Sequence, residues 1–315
     1  MTAAEPDRAA RAPRFRVPAP KAERFKQLAR VPAVAAPTLA ALVIAAVGLP
    51  GVAAAHVAGA LPGWAACACS TALMYGLFTV VHDALHGSFA RDRGLNDALG
   101  AVGLLLFAPH ASLGLFRWAH MQHHRHTNAA GDPDRWSHGG GLTLPLRWAT
   151  IDVAYAVHAL RHGDAAARRH LLRALPHLGA TLAVLALLVH AGHAREVALL
   201  WLIPSRLTFV IAGGLFFWLP HVGAETTADE DVLRSTTIRL GHEWLLAPLL
   251  QFHNYHLVHH LFPALPSSRH ADVFRLVEDD LRARPLLIQR GFAVRPDPSG
   301  AACAAAQGMR APRAP

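Results

Sequence analysis

Four stretches of this chain carry almost no charge, and they limit what it can fold into. Val31 to Ala60 contains no ionisable side chain except His56, and Leu61 to Val81 has no Asp, Glu, Lys or Arg. Ala174 to Ala194 is uncharged apart from its histidines, and Val197 to Pro220 holds one arginine, Arg206. A helix that crosses a bilayer needs roughly 20 such residues. Pro50-Gly51 and Pro62-Gly63 interrupt the first region, which predicts one span near 34–58 and a second near 64–84. Only 16% of the residues are charged, against about 25% in soluble domains. The expected class is therefore an all-α integral membrane protein with four transmembrane helices in two hairpins.

The basic residues orient those spans. Of 30 Lys and Arg, eight precede Val31, ten lie between Arg91 and Arg173, and ten lie from Arg234 onward. The short connections at 59–63 and 191–196 hold only Arg195. By the positive-inside rule both termini and the 87–173 segment face the cytoplasm, in a membrane of the bacterial inner or plasma type. The net charge of +9 then reflects topology and contact with anionic headgroups. It does not argue for nucleic-acid binding, because the basic residues are dispersed with few aromatics among them. Residues 1–30 and 296–315, rich in Ala, Pro, Arg and Gly, are expected to be disordered on either side of one domain over 31–295. The three cysteines suggest no disulfide framework.

Histidine is the second anomaly. The chain has 22, and they cluster: "HDALHG" gives His82 and His86, "HMQHH" gives His120, His123 and His124, and "HLVHH" gives His256, His259 and His260. His221 closes "FFWLPH" at the end of the fourth span. Residues three or four apart share a helix face, so each cluster can present several imidazoles to one metal, and imidazole suits iron and zinc alike. All four groups fall on one predicted side of the membrane. His126 and His253 adjoin clusters without a defined role. His56, His110, His138, His158, His162, His170, His177, His190, His193, His242 and His270 read as surface or interfacial residues. Asp83, Asp132, Asp134 and Glu243 are candidates to orient ligand rings through their second nitrogen.

Three boxes in this order, between paired spans, resemble the membrane fatty-acid desaturase superfamily over roughly residues 35–290. That group includes acyl desaturases and carotenoid β-ring hydroxylases and ketolases. "HHRHTN" and "HHLFP" are similar to acyl desaturases, whereas "HMQHHRHTNAAGDPDRWSHGG", "FFWLPH" and "HNYHLVHHLFPALP" are similar to the carotenoid enzymes. The resemblance implies a non-haem di-iron centre held by His82, His86, His120, His123, His124, His221, His256, His259 and His260 under a cytoplasmic helical cap. Phe217 stands where some members carry a polar group, and Asn254 is the alternative polar contact. It further implies O2 as co-substrate, a lipid substrate (an acyl chain or a carotenoid), and a separate ferredoxin- or cytochrome-type electron donor. Arg234, Arg239, Arg269 and Arg275 offer such a donor a basic face.

The leading expectation is a fatty-acyl desaturase, with a carotenoid β-ring hydroxylase or ketolase as the alternative. A zinc hydrolase would need a general base in a box, and no box contains glutamate. A transporter would place its ionisable groups at mid-membrane, and only Arg206 is expected there. Further expectations are a re-entrant hairpin over Leu99–Leu115, an interfacial helix over Leu142–Leu160 anchored by Trp148 and Tyr155, and a short apolar segment over Leu245–Phe252. A substrate tunnel is expected along Ala72, Gly76, Gly213 and Gly214.

Overall fold

The computed structural model describes residues 15–299. Its main helices are α1 (Ala22–Ala29), α2 (Ala36–Val57), α3 (Gly63–His86), α4 (Arg93–Phe107) and α5 (Leu113–His126). After them come α6 (Leu144–Ala149), α7 (Ile151–His162), α8 (Ala165–His190) and the continuous span α9 (Ala194–His221). The chain closes with α10 (Glu243–Leu249), α11 (His256–Leu261) and α12 (His270–Arg282). Among the described residues four helices, α2, α3, α8 and α9, are long and apolar enough to cross a membrane. They form the two expected hairpins, α2–α3 and α8–α9. Helix α2 runs straight through Pro50, so only Pro62-Gly63 breaks the first region.

Between the hairpins the chain dips into the bundle twice. Helix α4 starts on an Asp92 cap, whose carboxylate accepts from Leu95 N at 2.8 Å, and runs back along α3. The two helices touch closely: a β-carbon at Gly100 would collide with the Ala84 methyl. The turn over 108–112 leads into α5, capped by Ser112, which gives the expected re-entrant hairpin. The second dip was not anticipated. The 142–160 segment is two helices, α6 and α7, whose junction reaches Arg206 near the middle of the 28-residue span α9. Tyr155 is not a headgroup anchor: it is buried, and its hydroxyl donates to Asp134 at 2.6 Å. Trp148 packs against Gly213, where a β-carbon would lie 2.5 Å from Trp148 Cβ, and its indole N–H donates to Ser137 O.

The depth of that junction has an electrostatic consequence. Arg206 donates to both Asp152 oxygens, at 3.1 and 2.8 Å, and to Ala149 O at 2.9 Å. His110 Nε2 lies 2.8 Å from Asp152 Oδ2. A charge in hydrocarbon is costly unless paired, and here one ion pair and one imidazole tie the 108–112 turn, the α6–α7 junction and α9 together. His110 is thereby a structural partner and not a surface residue.

The cap carries a second core, in which Ile238, Leu257, Val258, Val273, Val277, Leu281, Leu286 and Ile288 are buried. It adds to the all-α plan a small sheet, β1 (Thr237–Leu240), β2 (Leu286–Arg290) and β3 (Asp297–Ser299), with β1–β2 parallel and β2–β3 antiparallel. Residues 15–30, expected to be disordered, contribute to this core through Phe15, Leu28 and α1, and Lys21 pairs with Asp280 on α12. The alternation of Phe25, Leu28 and Ala29 with charged residues gives α1 an apolar side, which a reading by composition alone overlooks. Strand β3 likewise begins inside the expected tail. Residues 1–14 and 300–315 lie outside the described residues. Arg239 is buried in the sheet, donating to Gly291 O, Ala293 O and Gln289 Oε1, and so offers no docking face.

Candidate metal centre

Nine imidazoles meet at one end of the bundle. His82 and His86 end α3, His120, His123 and His124 end α5, His221 ends α9, and His256, His259 and His260 lie on α11. The last two turns of α5 hold three box residues because their spacing keeps them on one face. In α9 the stretch Gly213–Trp218 is π-helical, a local rewinding just before His221 of the kind that re-aims side chains at functional sites.

The nine residues expected from sequence are all brought together. His82, His86, His120 and His259 form one group, and His123, His221, His256 and His260 another, with ligand atoms in each within 4.8 Å of one another. His124 joins them: its Nε2 is 3.3 Å from that of His120 and 2.9 Å from that of His259, and its ring lies 4.5 Å from the ring of His260. Every one of the nine presents Nε2 inward. The pairs His82–His259, His86–His120, His123–His260, His221–His256 and His256–His260 have Nε2 atoms 3.2, 2.9, 3.4, 3.2 and 3.1 Å apart. Two nitrogens each held at ~2.1 Å from one ion lie about 3.0–3.4 Å apart for octahedral to tetrahedral angles. Facing lone pairs at this spacing fit a cation between them.

Electrostatics favours the neutral, ligating form. Burial, reinforced by the neighbouring imidazoles, holds the pKa values of His120, His124, His256, His259 and His260 well below the usual histidine range. His123 is the exception. Burial alone would lower its pKa, but Asp132 and Asp134 outweigh that and push it up to about 9. The same negative field favours a metal cation at Nε2.

Other residues set ring orientation. Asp132 accepts from His123 Nδ1 at 3.0 and 3.1 Å and is itself fixed by the backbone N–H groups of Asn128 and Asp134, at 2.9 and 2.8 Å. Burial would raise the Asp132 pKa, but His123 and these donors hold it below the ordinary value. Burial pushes Asp134, whose oxygen is 3.4 Å from His123 Nδ1, up to about 6. Asn128 has φ +64°, a conformation asparagine tolerates, and donates to Thr226 O and Ser235 O. Ser235 O also accepts from His221 Nδ1 at 3.1 Å, which leaves His221 Nε2 bare. Because second-sphere partners typically carry 10–100-fold in metal affinity, Asp132→Asn is expected to weaken metal retention by about that factor. Chelator competition on the purified protein measures it, and unchanged retention would remove Asp132 from this role.

His253, which had no defined role, is buried with Nε2 3.2 Å from His82 Nδ1 and Nδ1 2.9 Å from Gln251 O. It thus steers His82 as Asp132 steers His123. Gln251 and Phe252 before it both have positive φ, +48° and +64°, a strained pair for residues with β-carbons. His270 is fully buried, its ring 5.7 Å from that of His259, and is not the surface residue expected. His126 is exposed and outside both groups. Asp83 serves elsewhere: it accepts from Thr38 Oγ1 at 2.8 Å and Ser267 Oγ at 2.6 Å, tying α2 and α3 to the cap. Glu243 accepts from Gly241 N, away from the rings. Asn254 donates to Arg239 O.

Beneath the histidines lies a small apolar chamber of about 50 Å³. His82 and His120 border it, with Phe78, Phe107, Phe116, Phe209 and Phe217 among its wall residues. Ala72, Gly76, Gly213 and Gly214 do not border it; the last two face Trp148. Glycines in a spanning helix mark helix contact more often than a ligand path, and that is the role of Gly213 and Gly214; a β-carbon at Gly76 would meet open space.

Comparison with known proteins gives a family. The family model described as Fatty acid desaturase matches residues 58–291. The beta-carotene ketolase of Paracoccus sp. (strain PC1) is 34% identical over 203 residues, which is 62% of this chain and 72% of that protein. The enzyme of the same name from another Paracoccus strain is 32% identical over the same shares. A zeaxanthin 4-ketolase of Chlamydomonas reinhardtii is 41% identical over 85 residues, 26% of this chain and 18% of that protein.

Proposed function

The chain belongs to the fatty acid desaturase family, and from that premise we propose that it is a membrane carotenoid oxygenase, oxidising a ring methylene of a carotene to a ketone. The nine inward-facing histidines are its metal ligands and the metal is a pair of irons. The similarity to two beta-carotene ketolases across 62% of the chain carries the substrate assignment. It reverses the preference for acyl chains drawn from "HHRHTN" and "HHLFP", short strings that the two kinds of enzyme share. The lining of the chamber, with no charged residue other than the metal-site histidines, is also of the chemistry that suits a hydrocarbon ring.

Two irons bound there would supply the oxidising power to break an unactivated C–H bond, given O2 and electrons from a separate donor. The chain supplies the rest. Asp132, Ser235 O and His253 hold the second nitrogens of His123, His221 and His82, so that each presents a lone pair from Nε2. Phe78, Phe209 and Phe217 exclude water and seat the ring against His82 and His120.

Expression in a β-carotene-accumulating bacterium under ¹⁸O2 tests the reading. Labelled oxygen is expected on the carotene ring, and metal analysis of the purified protein is expected to return about two irons per chain. New unsaturated acyl chains without label, over unchanged carotene, would restore the acyl-desaturase reading. About one zinc per chain would refute the di-iron centre.

A further inference from the structure

Helix α8 stands apart from the bundle. The most apolar window of α2, α3 or α9 is between 17% and 39% buried, whereas that of α8 is 0% buried. The helix touches α5 and α7 near its start, where Ala167 packs with Leu115 and Ala159, and α9 near its end. Between these contacts a groove runs down its inner side, in two parts of about 530 and 550 Å³ that share Leu105, Pro109 and His177. The part farther from Arg173 is mostly apolar, with Thr181, Leu185 and Trp201 on its walls, and ends at His193 and Glu196. No residue borders both the groove and the chamber below the histidines.

The mouth of the groove is charged. Arg117, Asp97, His170 and Arg173 line it. Arg117 is neutralised by Asp97 and also donates to Ala84 O and Leu85 O at the end of α3, which puts the mouth level with the histidine end of the bundle. Arg173 is exposed and has no ion pair among the described residues. His170 packs over Gly114, at the start of α5.

A mostly apolar slot under an arginine with no ion pair among the described residues matches an acyl chain with an anionic headgroup. We propose that the α8 groove is a site for one anionic phospholipid, its phosphate at Arg173 and His170 and a chain lying along Thr181 and Leu185. In a bilayer the space between helices is filled by lipid. The cationic mouth selects the headgroup, at about 1 kcal/mol, or roughly 5-fold, per arginine. An uncharged polyene would gain nothing from Arg173.

Native mass spectrometry of the full-length, metal-loaded protein tests this, after release from nanodiscs of equal parts phosphatidylglycerol and phosphatidylcholine. One phosphatidylglycerol per chain is expected to persist in preference to phosphatidylcholine. Arg173→Gln should lower its retention roughly 5-fold. Thr181→Trp keeps the charge but fills the apolar part, and should expel the lipid. Equal retention of both lipids would overturn the proposal, as would retention indifferent to both variants or a dimer in place of the bound lipid.

Discussion

Replacing His123 and His124 together with alanine is expected to abolish the proposed oxygenation, by more than ~100-fold, while the protein still inserts into the membrane. Loss of a mere orienting partner typically costs 10–100-fold in metal affinity or activity, so removal of two inward nitrogens should exceed that. His123 belongs to one histidine group, and His124 lies within 3.3 Å of the other; the pair thus weakens both halves of the centre. Neither residue is in a spanning helix, so the double variant should fractionate with membranes like the parent. Two readings decide the matter: metal per chain and labelled carotene product. Retained metal with product would remove these residues from the centre.

The mid-membrane pair should give the largest effect on stability. Arg206→Leu leaves the Asp152 carboxylate with His110 alone, and breaking a buried pair costs about 3–5 kcal/mol. The double variant Arg206→Leu/Asp152→Leu removes both charges and should recover most of that loss, because apolar replacement of a whole buried pair is often neutral. Denaturant unfolding of the purified protein in detergent gives both values. If the double variant is no more stable than Arg206→Leu, the two charges act independently.

The spans and the site differed in how far sequence revealed them. Long uncharged runs and boxes at i, i+3 and i+4 are local signals, so the four spans and the meeting of the nine histidines could be anticipated. The orienting partners depend on tertiary contact. Asp132 lies nine residues from His123 and could be guessed, but the Ser235 carbonyl that orients His221 leaves no mark in side-chain identity. His253 was visible as a fourth histidine in "HNYHLVHH", yet its action on His82, 171 positions away, depends on the left-handed turn at Gln251 and Phe252. Tyr155 and Arg239, residue types usual at an interface, are here buried by hydrogen-bond partners that the fold supplies. The deep α6–α7 junction escaped notice because Asp152 looks incompatible with a membrane interior until Arg206 and His110 stand beside it.

The histidines of the centre come from four elements, the first and last of them far apart in the chain at His82 and His260. A ribosome feeding this polypeptide into a bilayer therefore produces both hairpins before the last three imidazoles exist. The full set of ligands is therefore complete only late in biogenesis, and a chain truncated before α11 would insert with six of the nine. A metal held there would tie the outlying α11 to the ends of three earlier helices, closing loops whose entropy would otherwise favour opening. Metal supply during growth should accordingly set how long the protein survives membrane proteases, independently of how much of it is made.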